Sequence, residues 1–140
     1  MHFIYKPEMI PLEFLDPERD KVFGFCLRNL LWTDPEQLRG FMGPDPTQSI
    51  YFAEFGETGF ECRLNIPGVQ EMFRDWPKWA YYKVTAYDFQ GHDRLVNFYT
   101  KKIFEDHIRA GLAQYIKLFP EKQAQIDQLV TDLELGPLQI

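Results

Sequence analysis

Several residue types on which enzymes and small cross-linked folds depend are scarce in this chain. Its 140 residues include two cysteines, one serine and three histidines. Cys26 and Cys62 are too few for a disulfide framework and too far apart for a Cys-x-x-Cys zinc motif, so we predict two buried free thiols. Ser49 lacks the flanking glycines of a nucleophile elbow. These scarcities weigh against a disulfide scaffold, a structural zinc site and a serine hydrolase of that kind.

Long apolar runs and phosphate-binding glycine motifs are missing as well. No stretch approaches the roughly 18 apolar residues of a membrane-spanning helix. The first residues lack the basic and apolar pattern of a signal peptide, so we predict a cytoplasmic protein. No lysine follows a glycine and no dinucleotide-binding glycine fingerprint is present. We therefore expect no cofactor.

The composition is that of a folded globular protein. Hydrophobic residues make up 45% of the chain and aromatic residues 16%, which argues against disorder. A length of 140 residues is sufficient for one core without cross-links. We predict a single domain over residues 1–140.

Two strands joined by a tight turn are predicted over residues 79–88 and 94–100, both rich in aromatic and β-branched residues. A three-residue loop at 89–91 places its glycine in the left-handed position and sets Tyr82 opposite Phe98 and Val84 opposite Val96. A two-residue loop would instead set Lys83 opposite Phe98. Because a one-residue slip turns an apolar set outward, the three-residue loop is favoured.

Two amphipathic helices are predicted after this hairpin. Thr100 can cap the first, and Pro120 ends it and suits the first turn of the second. Residues at helical spacing define the first apolar face: Ile103, Phe104, Ile108, Leu112, Tyr115, Ile116 and Phe119. A second face precedes Gly136: Ile126, Leu129, Val130 and Leu133.

The N-terminal part carries two more helix-start signals, Asp16-Pro17-Glu18 and Asp34-Pro35-Glu36. The first opens a helix through Leu31, for which a strand is the alternative at 23–27, and the second a short helix to about Phe41. Another hairpin, the first in chain order, is predicted from strands at 50–55 and 60–66, and a short helix at 69–78.

The predicted fold class is therefore α+β. An antiparallel sheet of four to five strands, built from two hairpins, packs mainly on one face against the two C-terminal helices and the N-terminal helix.

Candidate catalytic groups are few, and each has a structural explanation. Asp88, His92 and Asp93 surround a turn and would suit a metal ion or a general base. Solvated turns collect the same residues, and this explanation is preferred. His107, at the edge of a helix face, is interpreted as a boundary residue.

Negative charge is concentrated in the first part of the chain. Residues 1–62 carry eleven acidic and five basic residues, whereas residues 63–140 carry ten of each. This distribution disfavours nucleic-acid binding and favours a basic protein partner. The leading hypothesis is a non-catalytic binding protein of the inhibitor, immunity or adaptor kind. Its predicted partner-binding residues are acids around the first hairpin with two aromatics: Asp34, Glu36, Asp45, Glu54, Glu57, Glu61, Trp76 and Trp79.

Two alternatives remain open. One is a small-molecule-binding or enzymatic domain, with a pocket between sheet and helices lined by Trp79, Tyr81, Tyr115 and His107. The other is a structural subunit of an oligomer.

Overall fold

The computed structural model describes residues 21–42, 50–51, 59–63, 68, 70–87 and 94–138. They form a mixed helix-and-sheet fold with an antiparallel sheet, as the sequence predicts. The described helices are α1 (Lys21–Thr33), α2 (Leu38–Phe41), α3 (Lys101–Leu118) and α4 (Gln123–Asp132). The described strands are β1 (Ile50–Tyr51), β2 (Gly59–Cys62), β3 (Tyr82–Tyr87) and β4 (Arg94–Tyr99). Short 3-10 helices lie at Pro35–Gln37, Gln70–Phe73 and Pro120–Lys122.

The body of the sheet consists of β2, β3 and β4, with β3 in the centre and every pairing antiparallel. The two residues of β1 extend the sheet by pairing with β2, and Ile50 lies opposite Phe60. Most of the strand predicted at 50–55 lies outside the described residues, as do residues 64–66 of its partner. The prediction of four to five strands therefore stays a prediction.

The register of β3 and β4 differs from the predicted one by a single residue. Tyr82 lies opposite Tyr99 and Lys83 opposite Phe98, so the predicted pairing of Tyr82 with Phe98 is wrong, as is that of Val84 with Val96. The prediction assumed that only one face of β4 is apolar. Both faces are covered, because Tyr99 enters the main core while the Phe98 ring lies 5.6 Å from that of Trp76 on the other face.

Helix α1 confirms the helical interpretation of the N-terminal apolar pattern over the strand alternative. Phe23, Cys26 and Leu27 are fully buried, and Leu30 and Leu31 continue the same face. Cys26 and Cys62 are both buried thiols outside any disulfide, as predicted. The predicted start of this helix at Asp16 lies outside the described residues.

The two C-terminal helices follow the predicted pattern closely. The Thr100 hydroxyl accepts a hydrogen bond from the backbone N–H of Ile103 at 3.2 Å, which caps α3. All four residues predicted for the face of α4 are buried. One correction concerns Ile103, which is 40% exposed. The next residue, Phe104, points directly into the core. Successive residues of a helix are rotated by about 100°, so the side chain of Ile103 is directed outward.

The main core fills the space between the sheet and helices α1 and α3 with aromatic rings. Phe104 stacks on Tyr82 with ring centroids 3.8 Å apart. Phe23 meets Phe104 edge-on at 5.1 Å and Phe60 at 5.6 Å. Edge-to-face and offset contacts are the favoured geometries between aromatic rings, so this region is tightly packed.

A smaller cluster covers part of the other face of the sheet. It consists of Phe73, Trp76 and Ala80, with Phe98 packed against it. Arg63 secures it, because its guanidinium lies 5.4 Å from the Trp76 ring and donates to the carbonyl oxygen of Ala80 at 2.9 Å. We call this the outer cluster.

No helix in the described ranges combines the length and apolar character required to cross a membrane. A cytoplasmic location stays a prediction.

Candidate partner-binding surfaces

The predicted acids Asp34 and Glu36 lie where α1 ends and the next turn begins. Asp34 is exposed, and one of its carboxylate oxygens accepts the backbone N–H of Glu36 at 3.0 Å. This bond caps the short 3-10 helix that starts at Pro35, the structure expected of an Asp-Pro-Glu sequence. The sequence therefore located this turn and its cap correctly.

Arg39 connects this turn to α4. Its guanidinium binds the Glu36 carboxylate at 2.9 Å and the Asp132 carboxylate at 2.6 Å. Gln125 of α4 donates to the second oxygen of Glu36 at 3.3 Å. The contact brings acids from residue 36 and residue 132 onto one surface, although 96 positions separate them in the sequence.

The electrostatics of these groups reflect that contact. The hydrogen bond from Arg39 holds the pKa of the Glu36 carboxyl below its ordinary value, and the same is true of Asp132. Burial raises the pKa of the Tyr115 phenol, and the charges of Glu121 and Asp34 raise it further. Glu121 is placed by Gln125, which follows it by four residues, about one helical turn, and which contacts Glu36.

We call Asp34, Glu36, Glu121 and Asp132 the helical acidic surface. Arg39 and Lys122, an exposed residue next to Glu121 in the chain, offset two of these four negative charges, so the six named residues together carry a net negative charge. The sequence identified only its first two members. The other two lie on the 3-10 turn before α4 and at the end of that helix, in the half of the chain whose charges balance.

Glu61 lies elsewhere. It is paired across β2 and β3 with Lys83, and the carboxylate and ammonium are 3.8 Å apart. Their parity along the strands places them on the face of Phe98, opposite the main core. Asp45, Glu54 and Glu57 lie outside the described residues. The described structure thus joins Asp34 and Glu36 but does not bring Glu61 to them.

The two predicted aromatic partner-binding residues differ in exposure. Trp76 is only 8% exposed and belongs to the outer cluster, whereas Trp79 is 60% exposed. Exposed Lys78 precedes Trp79 in the chain. Of these two indoles, only that of Trp79 is available to a partner.

The residues of the alternative small-molecule pocket are far apart. The Tyr81 ring lies 5.6 Å from the ammonium of Lys101, at the start of α3. Tyr115 is fourteen residues further along that helix, a distance of about 21 Å at 1.5 Å per residue. The His107 ring is buried and packs edge-on against Phe23 at 5.1 Å. Its predicted place at the edge of a helix face is therefore wrong, because α1 covers that side of α3.

The candidate metal or base site at Asp88, His92 and Asp93 lies outside the described residues. Within the described ranges, no group of three or more histidines, cysteines, aspartates or glutamates is arranged to hold a metal ion.

A groove of about 530 Å³ runs along α4 and the segment that follows it. The described residues that line this C-terminal groove are Asp127, Val130, Thr131, Glu134, Gly136, Pro137 and Leu138. The sequence analysis used Gly136-Pro137 only as a helix stop. The feature it missed is that Asp127 and Val130 are three positions apart on α4, with a second acid, Glu134, just beyond the end of the helix.

The end of α4 shapes this groove. The backbone N–H of Leu135 donates to Val130 O at 3.1 Å and that of Glu134 to Thr131 O at 3.1 Å. These are the two bonds of a Schellman motif. Glu134 occupies its left-handed position with φ 57°. Leu135 is then buried, and its carbonyl oxygen accepts Arg109 Nη1 at 2.8 Å.

Comparison with protein-family models, with curated proteins and with solved structures finds no match to this chain.

Proposed function

We propose that this chain is a non-catalytic protein-binding domain, of the inhibitor, immunity or adaptor kind, that recognises a basic partner through acidic surface. The observation that carries the proposal is the helical acidic surface. Two carboxylates from distant parts of the chain, those of Glu36 and Asp132, are bridged there by the guanidinium of Arg39. Asp34 lies two residues before Glu36, and Gln125, four residues after Glu121, donates to Glu36. Complementary charge steers partners together and speeds association.

The acids around the first hairpin form the second half of the proposal. Asp45, Glu54, Glu57 and Glu61 would extend the acidic area beyond the helices, and Trp79 would supply an aromatic anchor, a residue type enriched among interface hot spots. The scaffold we propose is the complete predicted architecture, with four to five strands and the helices mainly on one face. The pairing of β1 with β2 supports the additional strand.

The test is a capture experiment followed by kinetics. The immobilised chain is exposed to native lysate at low ionic strength, and a retained protein is identified, purified and measured for its association rate. We expect a basic protein whose association slows as salt rises, because exposed charges are screened within about 10 Å at 0.1 M salt.

Two pairs of neutralised variants locate the contact. Asp34→Asn with Glu121→Gln removes two exposed charges from the helical acidic surface, and asparagine preserves the helix cap. Glu71→Gln with Asp75→Asn removes two exposed charges elsewhere and is the matched control. We expect only the first pair to slow association. A third variant with reversed charges at Glu54, Glu57 and Glu61 tests the first hairpin.

Two outcomes would count against the proposal. One is that no protein is retained at low ionic strength. The other is a retained protein whose association rate does not change with salt concentration and is the same for all the variants.

A further inference from the structure

We infer that the C-terminal groove is the docking site for a short linear segment of the partner, in which basic residues flank an apolar one. The inference deepens the proposed function and rests on it, because it names the chemistry of the partner's contact segment.

The lining of the groove combines an apolar floor with an acidic rim. Val130 is 9% exposed and belongs to the main core, and half-buried Leu138 packs against the same core. Asp127 and Glu134 are exposed, and the lining residues that the structure describes include no cation. An apolar side chain on the floor with a cation at each end would therefore match the groove in polarity and in charge.

The dimensions favour a few residues of extended chain. Asp127 lies five positions before Asp132, the last residue of α4, about 8 Å along the helix axis at 1.5 Å per residue, and Glu134 follows in the Schellman motif. An extended peptide covers that distance in two to three residues at about 3.3 Å each. The volume of about 530 Å³ is in the range of pockets that bind small ligands.

The wall of the groove is fixed rather than loose. The Schellman motif and the hydrogen bond from Arg109 to the Leu135 carbonyl oxygen anchor the chain just before Gly136. Gly136 itself has φ 82°, a conformation that favours glycine and turns the chain back alongside α4. A wall that is already ordered lowers the entropic cost of binding a peptide.

Glu134 adds a separate indication. It occupies the left-handed position of the Schellman motif, where glycine is the preferred residue and a side chain is strained. A glutamate there is unfavourable for the fold, whereas it supplies one of the two charges of the rim.

The probe is a fluorescein-labelled, acetylated and amidated peptide with the sequence Lys-Leu-Leu-Lys between Gly-Ser ends. Fluorescence anisotropy measures its affinity, and amide chemical shifts of the ¹⁵N-labelled chain locate it. We expect binding that weakens with salt and shift changes centred on Val130, Thr131 and Leu138. Peptides with glutamate for lysine, or glycine for leucine, should bind at least about tenfold more weakly.

Variants of the rim complete the test. Asp127→Lys and Glu134→Lys should each weaken the probe by about five- to tenfold, whereas Asp75→Lys, with the same change in net charge, should leave the affinity unchanged. Glu134→Gly separates fold from binding. It should raise the melting temperature, because strain is relieved, and still weaken the probe.

Several results would overturn the inference. One is that the lysine peptide does not bind, and another is that the glutamate peptide binds equally well. A third is that the shift changes lie away from the groove and are unaltered in the Asp127→Lys and Glu134→Lys variants. Spermidine binding as tightly as the peptide would also overturn it, because the ligand would then be a small cation. If a basic protein is captured from lysate and Asp127→Lys does not slow it, the groove inference fails while the proposed function stands.

Discussion

The two faces of the sheet bury apolar side chains to different extents. The face under α1 and α3 is closed by a continuous aromatic core, in which Phe104, Tyr82 and Phe60 are fully buried. Among the described residues, the outer face carries the smaller cluster of Phe73, Trp76 and Ala80, and next to it lies the ion pair of Glu61 with Lys83. The difference shows that one side of these strands contributes most of the buried apolar packing, whereas the other side presents a mixed polar and apolar surface.

The largest expected effect is on the main core. Phe104→Ala removes a ring that stacks on Tyr82 at 3.8 Å and meets Phe60 edge-on at 5.5 Å. We expect a loss of about 3–5 kcal/mol in the free energy of unfolding, from lost burial and the cavity that remains. Urea unfolding followed by far-UV circular dichroism measures it. A loss below about 1 kcal/mol would contradict the assignment of this ring to the core.

The outer cluster should be less critical. Trp76→Ala removes an indole that is 8% exposed and has Arg63 above it. We expect a loss of about 2 kcal/mol, because a site near the surface relaxes and admits water more readily than the core. The same urea experiment checks it. A loss equal to that of Phe104→Ala would mean that the two faces contribute equally to stability.

The bridge of Arg39 should give a small, pH-dependent effect. Its hydrogen bonds lower the pKa of Glu36 and of Asp132 from ordinary values of 4.5 and 3.8. A carboxyl whose folded pKa is depressed stabilises the fold above its unfolded pKa, and this stabilisation is lost as pH falls through the folded value. Arg39→Met should therefore melt below the wild type at pH 7, and the gap should close in acid.

Melting temperatures of the two proteins between pH 7 and pH 3 check this. A gap that is the same at both ends of the range would show that Arg39 acts through packing rather than through its ion pairs.

The smallest expected effect is at Trp79, which is 60% exposed. Trp79→Ala should change the free energy of unfolding by less than about 0.5 kcal/mol, yet weaken a captured partner if this indole is an anchor. Lys78→Ala is the control for its neighbourhood. A clear loss of stability would place the Trp79 side chain in the fold instead of at its surface.

Local signals in the sequence predicted much of this structure. The Thr100 cap, the Asp34-Pro35-Glu36 turn and the faces of α1 and α4 all depend on residues within one or two helical turns, so short-range spacing was sufficient. The register of β3 and β4 was not predictable in that way. It depends on the outer cluster, in which Trp76 and Phe98, 22 positions apart, cover the second face.

The candidate site shows the same division. Asp34 and Glu36 could be chosen from the sequence, whereas their association with Glu121 and Asp132 depends on Arg39 and on the packing of α4. The C-terminal groove depends on a Schellman motif with glutamate in place of the expected glycine. No pattern in the sequence indicates that conformation.

The central proposal is that the helical acidic surface of this chain binds a basic protein. The most direct test is the association rate of the purified partner with the wild type and with Asp34→Asn/Glu121→Gln, measured across a salt series. We predict a slower rate for the variant at low salt and convergence of the two rates at high salt. Identical rates at every salt concentration, with Glu71→Gln/Asp75→Asn equally unaffected, would contradict it.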